Sequence, residues 1–315
     1  MMKEPRKEEV MRIAVPDFVS STFFPLIAAK ELGIFDQEGQ DVEIVHSNAL
    51  GAVEYLRDGT ADLSAGPAHV PMMIFPDSLG VKLVVTVSQG TPWLLVLKAG
   101  LAKRGEIESV KGRRIAANRG PDLVLKYLLH EAGIDVEKDL VKIGPLPETD
   151  QPGISFGVAS ARALADGRVD GIWANVLGCE VAVHLGAGSV IMDTRLGDGP
   201  AGAGNYSFIA LAATESKIET EPERIEAVIR SVVRAQSVLR QDPWQAKKIA
   251  TKLFPAVEAG LMGQIVARDA EFYQPSISLE AIGEMNRFAT AVGLLSSPVS
   301  YEQVVATQFR SLWSE

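Results

Sequence analysis

The chain has 315 residues, of which 47% are hydrophobic and 23% charged, with a formal net charge of −9 at pH 7. These values are typical of a folded globular chain long enough for two domains, and they exclude a disordered protein. The acidic balance argues against nucleic acid or an anionic membrane as partner, because an acidic surface repels both. No apolar run reaches the roughly 18 residues of a membrane-spanning helix, so no transmembrane segment is predicted.

The N-terminal stretch, residues 1–10, is charged and has neither the apolar core nor the cleavage site of a secretion signal. We therefore expect either a periplasmic or otherwise extracytoplasmic protein whose natural signal is absent from this sequence, or a cytoplasmic protein. The single cysteine, Cys179, cannot form an internal disulfide and has no neighbouring ligands for a metal site. A buried core position is expected for it. No cofactor or metal is predicted.

Strands that alternate with helical patterns predict βαβ units and a mostly parallel sheet in the first part of the chain. The predicted strands there are 13–15, 42–46, 63–65 and 82–87, with 94–98 as a crossing strand. A second set follows at 114–117, 140–143, 171–174 and 190–192. A glycine-rich segment, 197–204, predicts a flexible loop or hinge, and 205–213 reads as a strand that returns to the first sheet. From residue 221 onward the pattern is helical.

The two sets of strands repeat one pattern. Arg12-Ile13-Ala14-Val15 opens the first copy and Arg114-Ile115-Ala116-Ala117 opens the second, and each is followed by an amphipathic stretch. Further on, the segments 55–63 and 163–171 both place a glycine stop directly before a short apolar strand. The two copies are about a hundred residues apart, since Arg12 corresponds to Arg114. A period of this length matches one α/β lobe and is too long for a solenoid repeat.

Two segments resemble a known family. The string PLIAAKELGIFDQEGQDVEIV at 25–45 and the segment LRDGTADL at 56–63 resemble the NMT1/THI5-like solute-binding proteins, which serve importers of sulfonates, taurine, nitrate and thiamine-pyrimidine precursors. The resemblance extends over nearly the whole chain. It implies an α/β, two-lobed type II periplasmic-binding-protein-like fold, each lobe a mostly parallel sheet flanked by helices, with the ligand cleft between the lobes. We expect lobe I at 1–97 and 205–315 and lobe II at 98–204.

Ligands of open parallel sheets meet the loops beyond the carboxyl ends of the strands. In the first lobe these loops contain several candidate ligand-binding residues: Asp17, Phe18, Ser20, Ser21, Thr22, Asn48, Gly66, Pro67 and His69. The hydroxyl residues precede a helix and either cap it or help to bind an anion. His69 is either a cleft residue, and then the first candidate for acid–base catalysis if the protein is an enzyme, or a structural histidine.

Between the lobes and in the second lobe, the candidates are Gln89, Thr91, Trp93, Asn118, Arg119, Gly120, Trp173, Asn175 and Tyr206. Trp93 and Trp173 offer flat apolar faces to a ligand ring, although core packing explains a tryptophan equally well. Arg119 either clamps a carboxylate, sulfonate or phosphate or forms a surface ion pair. Tyr206 is expected to close the cleft.

The sequence therefore predicts a binding protein that closes around a small anionic or aromatic molecule and delivers it to the permease of an ABC importer. The permease is implied by the resemblance. The alternative is a cytoplasmic enzyme or ligand sensor on the same scaffold, acting on a small aromatic or organic acid. The loop 17–22 contains no cysteine, so the nucleophile of the desulfinases with this fold is missing. The cysteine-rich run of the yeast-type pyrimidine synthase is also absent.

Overall fold

Two five-stranded sheets, each flanked by helices, form the framework of the protein. The structure, a computed structural model, describes residues 10–151 and 153–314. The absence of a secretion signal was predicted from residues 1–10. Of these, residues 1–9 lie outside the described residues. No helix within the described ranges is long and apolar enough to cross a membrane.

The strands alternate with helices along most of the chain. The strands are β1 (Met11–Val15), β2 (Val42–His46), β3 (Leu63–Pro67), β4 (Val81–Ser88), β5 (Trp93–Lys98), β6 (Arg114–Ala117), β7 (Lys142–Gly144), β8 (Gly171–Asn175), β9 (Gly188–Asp193) and β10 (Ile209–Thr214). The helices are α1 (Phe24–Glu31), α2 (Ile34–Gln37), α3 (Ala49–Asp58), α4 (Pro71–Ile74), α5 (Pro121–Glu131), α6 (Phe156–Ala165), α7 (Val176–His184), α8 (Glu215–Thr220), α9 (Pro222–Gln241), α10 (Trp244–Leu253), α11 (Ala256–Asp269), α12 (Leu279–Ala291) and α13 (Tyr301–Val304).

The two sheets have matching strand orders, β2-β1-β3-β10-β4 and β7-β6-β8-β5-β9. In the first sheet β10 is antiparallel to its neighbours β3 and β4, and in the second β5 is antiparallel to β8 and β9. The chain passes from the first sheet to the second between β4 and β5 and returns to the first between β9 and β10, so it crosses between the lobes twice. The predicted α/β fold with two lobes is confirmed.

The sequence repeat corresponds to a structural one. The Arg12 amide donates to Asp62 Oδ2 at 2.8 Å, and the Arg114 amide donates to Asp170 Oδ2 at 2.9 Å. In both lobes this aspartate follows the glycine stop of a helix and ties the third strand of the repeat to the start of the first strand. The repeat therefore preserves a hydrogen bond as well as a hydrophobic pattern.

Several predicted boundaries shift. The strand expected at 140–143 is observed at Lys142–Gly144, because Leu140 has a positive φ of 56° and cannot continue a strand. The returning strand begins at Ile209, since Ala203–Asn205 forms a 3₁₀ turn. The crossing strand β5 pairs within the second sheet, so the change of sheet falls before Trp93, whereas the expected division placed residues up to 97 in lobe I.

The C-terminal helices contact both halves of the protein. Helix α11 packs against α7, where Arg268 and Glu180 form an ion pair at 2.7 Å. Helix α12 packs against α5, where Arg287 and Glu131 form an ion pair at 3.2 Å. The hydrophobic core is correspondingly continuous between the halves. Any opening of the lobes has to preserve or break these contacts.

Candidate functional site

The loops that follow the strands of both sheets converge on a small cavity between the lobes, called here the inner cavity, with a volume of about 50 Å³. Its lining includes the following residues predicted from the sequence: Asp17, Ser20, Thr22, Pro67, Trp93, Asn118, Trp173 and Asn175. It also includes residues that the sequence did not single out: Pro16, Phe23, Ala49, Pro121, Phe156 and Ile209. A cavity of this size holds only a few water molecules in the arrangement observed.

Asp17, at the carboxyl end of β1, is the acidic side chain at this cavity, and it contacts the second lobe. It is buried, with 6% of its surface exposed. Its Oδ1 accepts from the amide of Val19 at 2.9 Å. Its Oδ2 accepts from Ser155 Oγ at 2.8 Å and from Asn175 Nδ2 at 3.2 Å. One carboxylate of the first lobe is thus held by two side chains of the second.

Both donors are helix N-caps. Ser155 caps α6, with its Oγ accepting from the amide of Val158, and Asn175 caps α7, with its Oδ1 accepting from the amide of Gly178. The Asp17 carboxylate therefore lies at the N-termini of two helices. Unpaired amides and the helix dipole make such termini favourable for a negative charge.

Burial raises the pKa of Asp17 to about 7, against the opposing effect of its hydrogen bonds from Ser155, Asn175 and the amides of Val19 and Gly157. The charged form is stabilised by these donors and penalised by the loss of water. A ligand that brings its own positive charge or hydrogen-bond donors to this carboxylate would favour the ionised form.

Two glycines bring the helix N-termini together. A Cβ at Gly178 would lie 2.4 Å from Gly157 Cα, which is far below any normal contact distance. Helices α6 and α7 can approach this closely only because both positions lack a side chain. The close approach places Ser155 and Asn175 on the same carboxylate.

Two tryptophans form the aromatic part of the inner cavity. The rings of Trp93 and Trp173 lie 6.1 Å apart at an angle of 41°. Trp173 is fully buried, and its Nε1 donates to the carbonyl of Pro121 at 3.0 Å. Because that hydrogen bond fixes the indole, the cavity presents a rigid apolar surface suited to a flat ligand ring.

The hydroxyl residues after β1 include the cap of a helical turn and two residues that line the inner cavity. Ser20 caps the 3₁₀ turn Ser21–Phe23 by accepting from the amide of Thr22, and its Oγ lies 2.8 Å from Thr22 Oγ1. Ser20 and Thr22 line the inner cavity, whereas Ser21 does not. The Ser21 hydroxyl is buried without a hydrogen-bond partner in the described structure.

His69 is fully buried beside the inner cavity and joins three segments. Its Nε2 lies 3.1 Å from the carbonyl of Gly120, which can only accept, so Nε2 carries the proton. Its Nδ1 then accepts from Ser207 Oγ at 2.8 Å. Burial lowers the pKa of His69 to about 4. A neutral histidine with both ring nitrogens engaged has no nitrogen free for proton transfer in this arrangement.

The other first-lobe candidates lie around the inner cavity rather than in its lining. Asn48 is exposed and caps α3 by accepting from the amide of Gly51. Gly66 lies within β3, and Phe18 packs edge-on against His46 at 5.5 Å between ring centroids.

Three predicted residues contribute to the connections between the sheets. Gln89 Nε2 donates to the carbonyl of Ser276 at 3.0 Å, and Thr91 Oγ1 donates to that of Ala203 at 2.7 Å. Tyr206 is fully buried, and its ring lies 5.0 Å from that of Tyr127. These residues stabilise the segments that connect the two sheets and are not part of the inner-cavity lining.

Arg119 is exposed and is not part of the inner-cavity lining. Gly120 beside it has a φ of +91°, and a Cβ there would lie 3.0 Å from Val70 Cγ2. Gly120 thus permits a close approach between the lobes, while the Arg119 side chain lies outside the cavity. Neither Lys nor Arg lines the inner cavity among the residues that the structure describes.

Cys179 lies in the core, fully buried, and burial raises the pKa of its thiol. Within the described ranges there is no cluster of histidine, cysteine and acidic side chains suited to a metal ion. A nucleophilic or metal-binding role for Cys179 therefore has no geometric support.

Ser155 is the functional candidate that sequence reasoning missed. The internal repeat could have identified it, because Asn48 caps α3 in the first copy and Ser155 caps α6 at the corresponding place in the second. The connection before Ser155 is long and contains a 3₁₀ turn at Pro147–Asp150, which obscures the repeat at this point.

The family model described as "NMT1/THI5 like" matches residues 20–246 of this chain. The chain is similar in structure to the alkanesulfonate-binding protein SsuA from Xanthomonas axonopodis pv. citri bound to MOPS, with 17% identity, a TM-score of 0.68, and coverage of 95% of this chain and 96% of that one. It is also similar to the periplasmic nitrate-binding protein NrtA from Synechocystis PCC 6803, with 15% identity, a TM-score of 0.70, and coverage of 97% of this chain and 88% of that one. The periplasmic aliphatic sulphonate binding protein SsuA from Escherichia coli is 17% identical, with a TM-score of 0.66 and coverage of 94% of this chain and 92% of that one. No curated protein sequence matches the chain.

Proposed function

Because the chain belongs to the NMT1/THI5-like family, we propose that it is a solute-binding protein that captures a small organic molecule between its lobes and delivers it to an ABC importer. The inner cavity supports this proposal, since it lies where the loops beyond the strand ends of both sheets meet, as expected for a ligand site in α/β sheets. The solved structures of similar fold include binding proteins for sulfonates and nitrate.

The ligand we propose is a neutral or cationic aromatic molecule with hydrogen-bond donors, such as a pyrimidine-type compound, rather than a sulfonate or a carboxylate. The observation that carries this choice is the Asp17 carboxylate at the N-termini of α6 and α7. An anion there would be repelled by the ionised form of Asp17, and no Lys or Arg in the described lining offsets the repulsion. The two tryptophans supply a surface for a ring, and Asp17 supplies an acceptor for its N–H groups.

Binding is proposed to involve hinge motion. The inner cavity, at about 50 Å³, is smaller than an aromatic ring with its substituents requires, so the lobes or the lining side chains must move apart to admit the ligand. The two crossings between the sheets, residues 89–92 and 194–208, are the segments that can bend. A ligand that contacts Asp17 and both tryptophans favours the closed state, because only there do both lobes touch it.

The partner proposed for the closed form is the permease of an ABC importer, which places the protein outside the cytoplasmic membrane. The similarity to periplasmic binding proteins supports this partner and this location. Its recognition of the lobes would depend on their closure, since closure changes the relative position of surfaces on the two lobes.

Native mass spectrometry tests the ligand class. The purified protein is incubated with an equimolar mixture of alkanesulfonates, aromatic carboxylates and aminopyrimidines, and whatever binds is released and weighed. We expect an aminopyrimidine-type ligand, recovered with unchanged mass, for the wild type and for Asp36→Asn, in which an exposed carboxylate on α2 is removed. Asp17→Asn is expected to lose that ligand. Selective recovery of a sulfonate or carboxylate would overturn the ligand class, and a ligand of altered mass would overturn the binding-protein proposal.

A further inference from the structure

A second and larger compartment lies on the outer side of Asp17. It has a volume of about 570 Å³, within the range of small-molecule sites, and is called here the outer compartment. Its apolar lining consists of Phe18, Val19, Ile27, Val42, Ile44, Leu253 and Phe254. Helix α1, strand β2 and the end of α10 therefore provide an apolar surface directly beside the inner cavity.

Asp17 separates the two compartments, because it lines both of them. Its two side-chain donors lie on opposite sides: Ser155 lines the outer compartment and Asn175 lines the inner cavity. A molecule bonded to the Asp17 carboxylate in place of either donor would extend into the compartment on that side. The carboxylate is therefore the point from which a single ligand can reach both spaces.

The charges at the outer compartment favour a ligand without negative groups. Its rim carries the carboxylates of Glu31, Asp41 and Glu43, of which Glu43 is paired with Arg12 at 3.1 Å. Lys30 is the basic side chain in the described lining, and His46 has its pKa lowered by burial and is neutral at pH 7. An anionic amphiphile would meet a net negative rim.

We propose that the outer compartment binds the apolar tail of an elongated ligand whose aromatic head, bearing an amine, lies in the inner cavity against Asp17. This inference rests on the proposed function and narrows its ligand class to amphipathic amines. The head contacts Trp93 and Asp17, and the tail replaces water along Ile44, Ile27 and Phe254. The two compartments then form one site divided by the carboxylate.

Isothermal titration calorimetry with benzylamine, 4-butylbenzylamine and 4-hexylbenzylamine tests the proposal. For the wild type we expect affinity to rise by about fourfold for each methylene buried. Ile44→Trp places a larger side chain in the wall of the compartment and should reduce the dependence on tail length, while benzylamine, which has no tail, should bind within about twofold of the wild type. Ile44→Ala keeps the compartment open and should weaken the gain per methylene. Leu279→Trp adds the same indole at an exposed position on α12 and should behave as the wild type.

Different results separate this inference from the proposed function. Benzylamine binding that is lost in Trp93→Ala but is insensitive to tail length would overturn the outer compartment as a tail site and leave the proposed function standing. A gain per methylene that stays at the wild-type value in both Ile44→Trp and Ile44→Ala would likewise overturn the tail site alone. Tail-dependent binding with the same affinity in Trp93→Ala and Asp17→Asn as in the wild type would support the outer compartment as a tail site. It would overturn the placement of the head in the inner cavity. Absence of binding by all three amines would overturn the amphipathic amine as ligand, while the proposed solute-binding function would still be decided by the ligand recovered in native mass spectrometry.

Discussion

The Asp17 carboxylate of the first lobe accepts a hydrogen bond from Ser155 Oγ of the second at 2.8 Å, although the two residues lie far apart in the sequence. Ser155 uses the same hydroxyl to cap α6. The contact therefore couples the conformation of the loop after β1 to the start of a helix in the other lobe. Because Asp17 lines both compartments, the contact lies at the boundary between them.

A double-mutant cycle measures this coupling. Ser155→Ala removes a donor to a buried carboxylate and a helix cap, and we expect it to lower the free energy of unfolding by about 2 kcal/mol at pH 8. Asp17→Asn combined with Ser155→Ala should show a coupling energy of about 1 kcal/mol or more at pH 8, measured by urea unfolding. Ser216→Ala, at an exposed position on α8, is the control. Purely additive effects would mean that the two side chains do not interact in solution.

Asp17 and His69 should make opposite contributions to the pH dependence of stability. The pKa of Asp17 rises from 3.8 to about 7 on folding, so its contribution to the free energy of unfolding falls as pH increases through that range. The pKa of His69 drops from 6.5 to about 4, so its contribution rises with pH between about 4 and 6.5. In the wild type the two contributions partly cancel.

Single variants separate the contributions of Asp17 and His69 to the pH dependence of stability. Relative to the wild type, Asp17→Asn should gain stability by about 2 kcal/mol at pH 7 and little at pH 4, because the cost of a buried charge is removed. His69→Gln should lose more stability at pH 7 than at pH 4. Thermal unfolding followed by circular dichroism at several pH values provides the measurement. Parallel pH profiles for the wild type and both variants would contradict the burial of these groups.

Gly178→Ala should destabilise the protein by about 3 kcal/mol. The added Cβ would lie 2.4 Å from Gly157 Cα, which is backbone and cannot move aside without displacing α6. Since α6 and α7 carry Ser155 and Asn175, ligand affinity should drop as well. Gly260→Ala is the control, because a Cβ there meets nothing within 4 Å. Equal melting temperatures for the two variants would show that the helices are not packed this closely.

Arg119→Ala should change ligand affinity by less than about twofold. The side chain is exposed and outside the inner-cavity lining, so its charge is screened by solvent. Calorimetric titration at 50 mM and 200 mM salt checks this expectation. A tenfold loss of affinity would instead restore Arg119 as an anion-binding residue and argue against an amine as ligand.

The two-lobed α/β fold and most strands were predictable from the sequence, because they depend on local periodicity and on a repeat that both lobes carry. The family was predicted from the resemblance of the segments 25–45 and 56–63 to known solute-binding proteins. Arg12 and Arg114 open equivalent strands, and the apolar alternation around them is visible without coordinates. The rule that ligands meet the carboxyl ends of parallel strands directed attention to Asp17, after β1, and to Trp173 and Asn175, at the end of β8. Trp93, at the start of β5, was selected because it lies near the predicted crossover between the lobes.

The tertiary structure alone decided what these side chains contact. Asp17, Ser155 and Asn175 meet because the two lobes close on one another, and no spacing along the chain encodes that approach. The same closure engages both nitrogens of His69, while Arg119 remains exposed. Hydrophobic periodicity reports which face of an element is buried. Burial, hydrogen bonding and charge at a site between lobes depend on groups brought together from distant segments, and these determined the ligand chemistry proposed here.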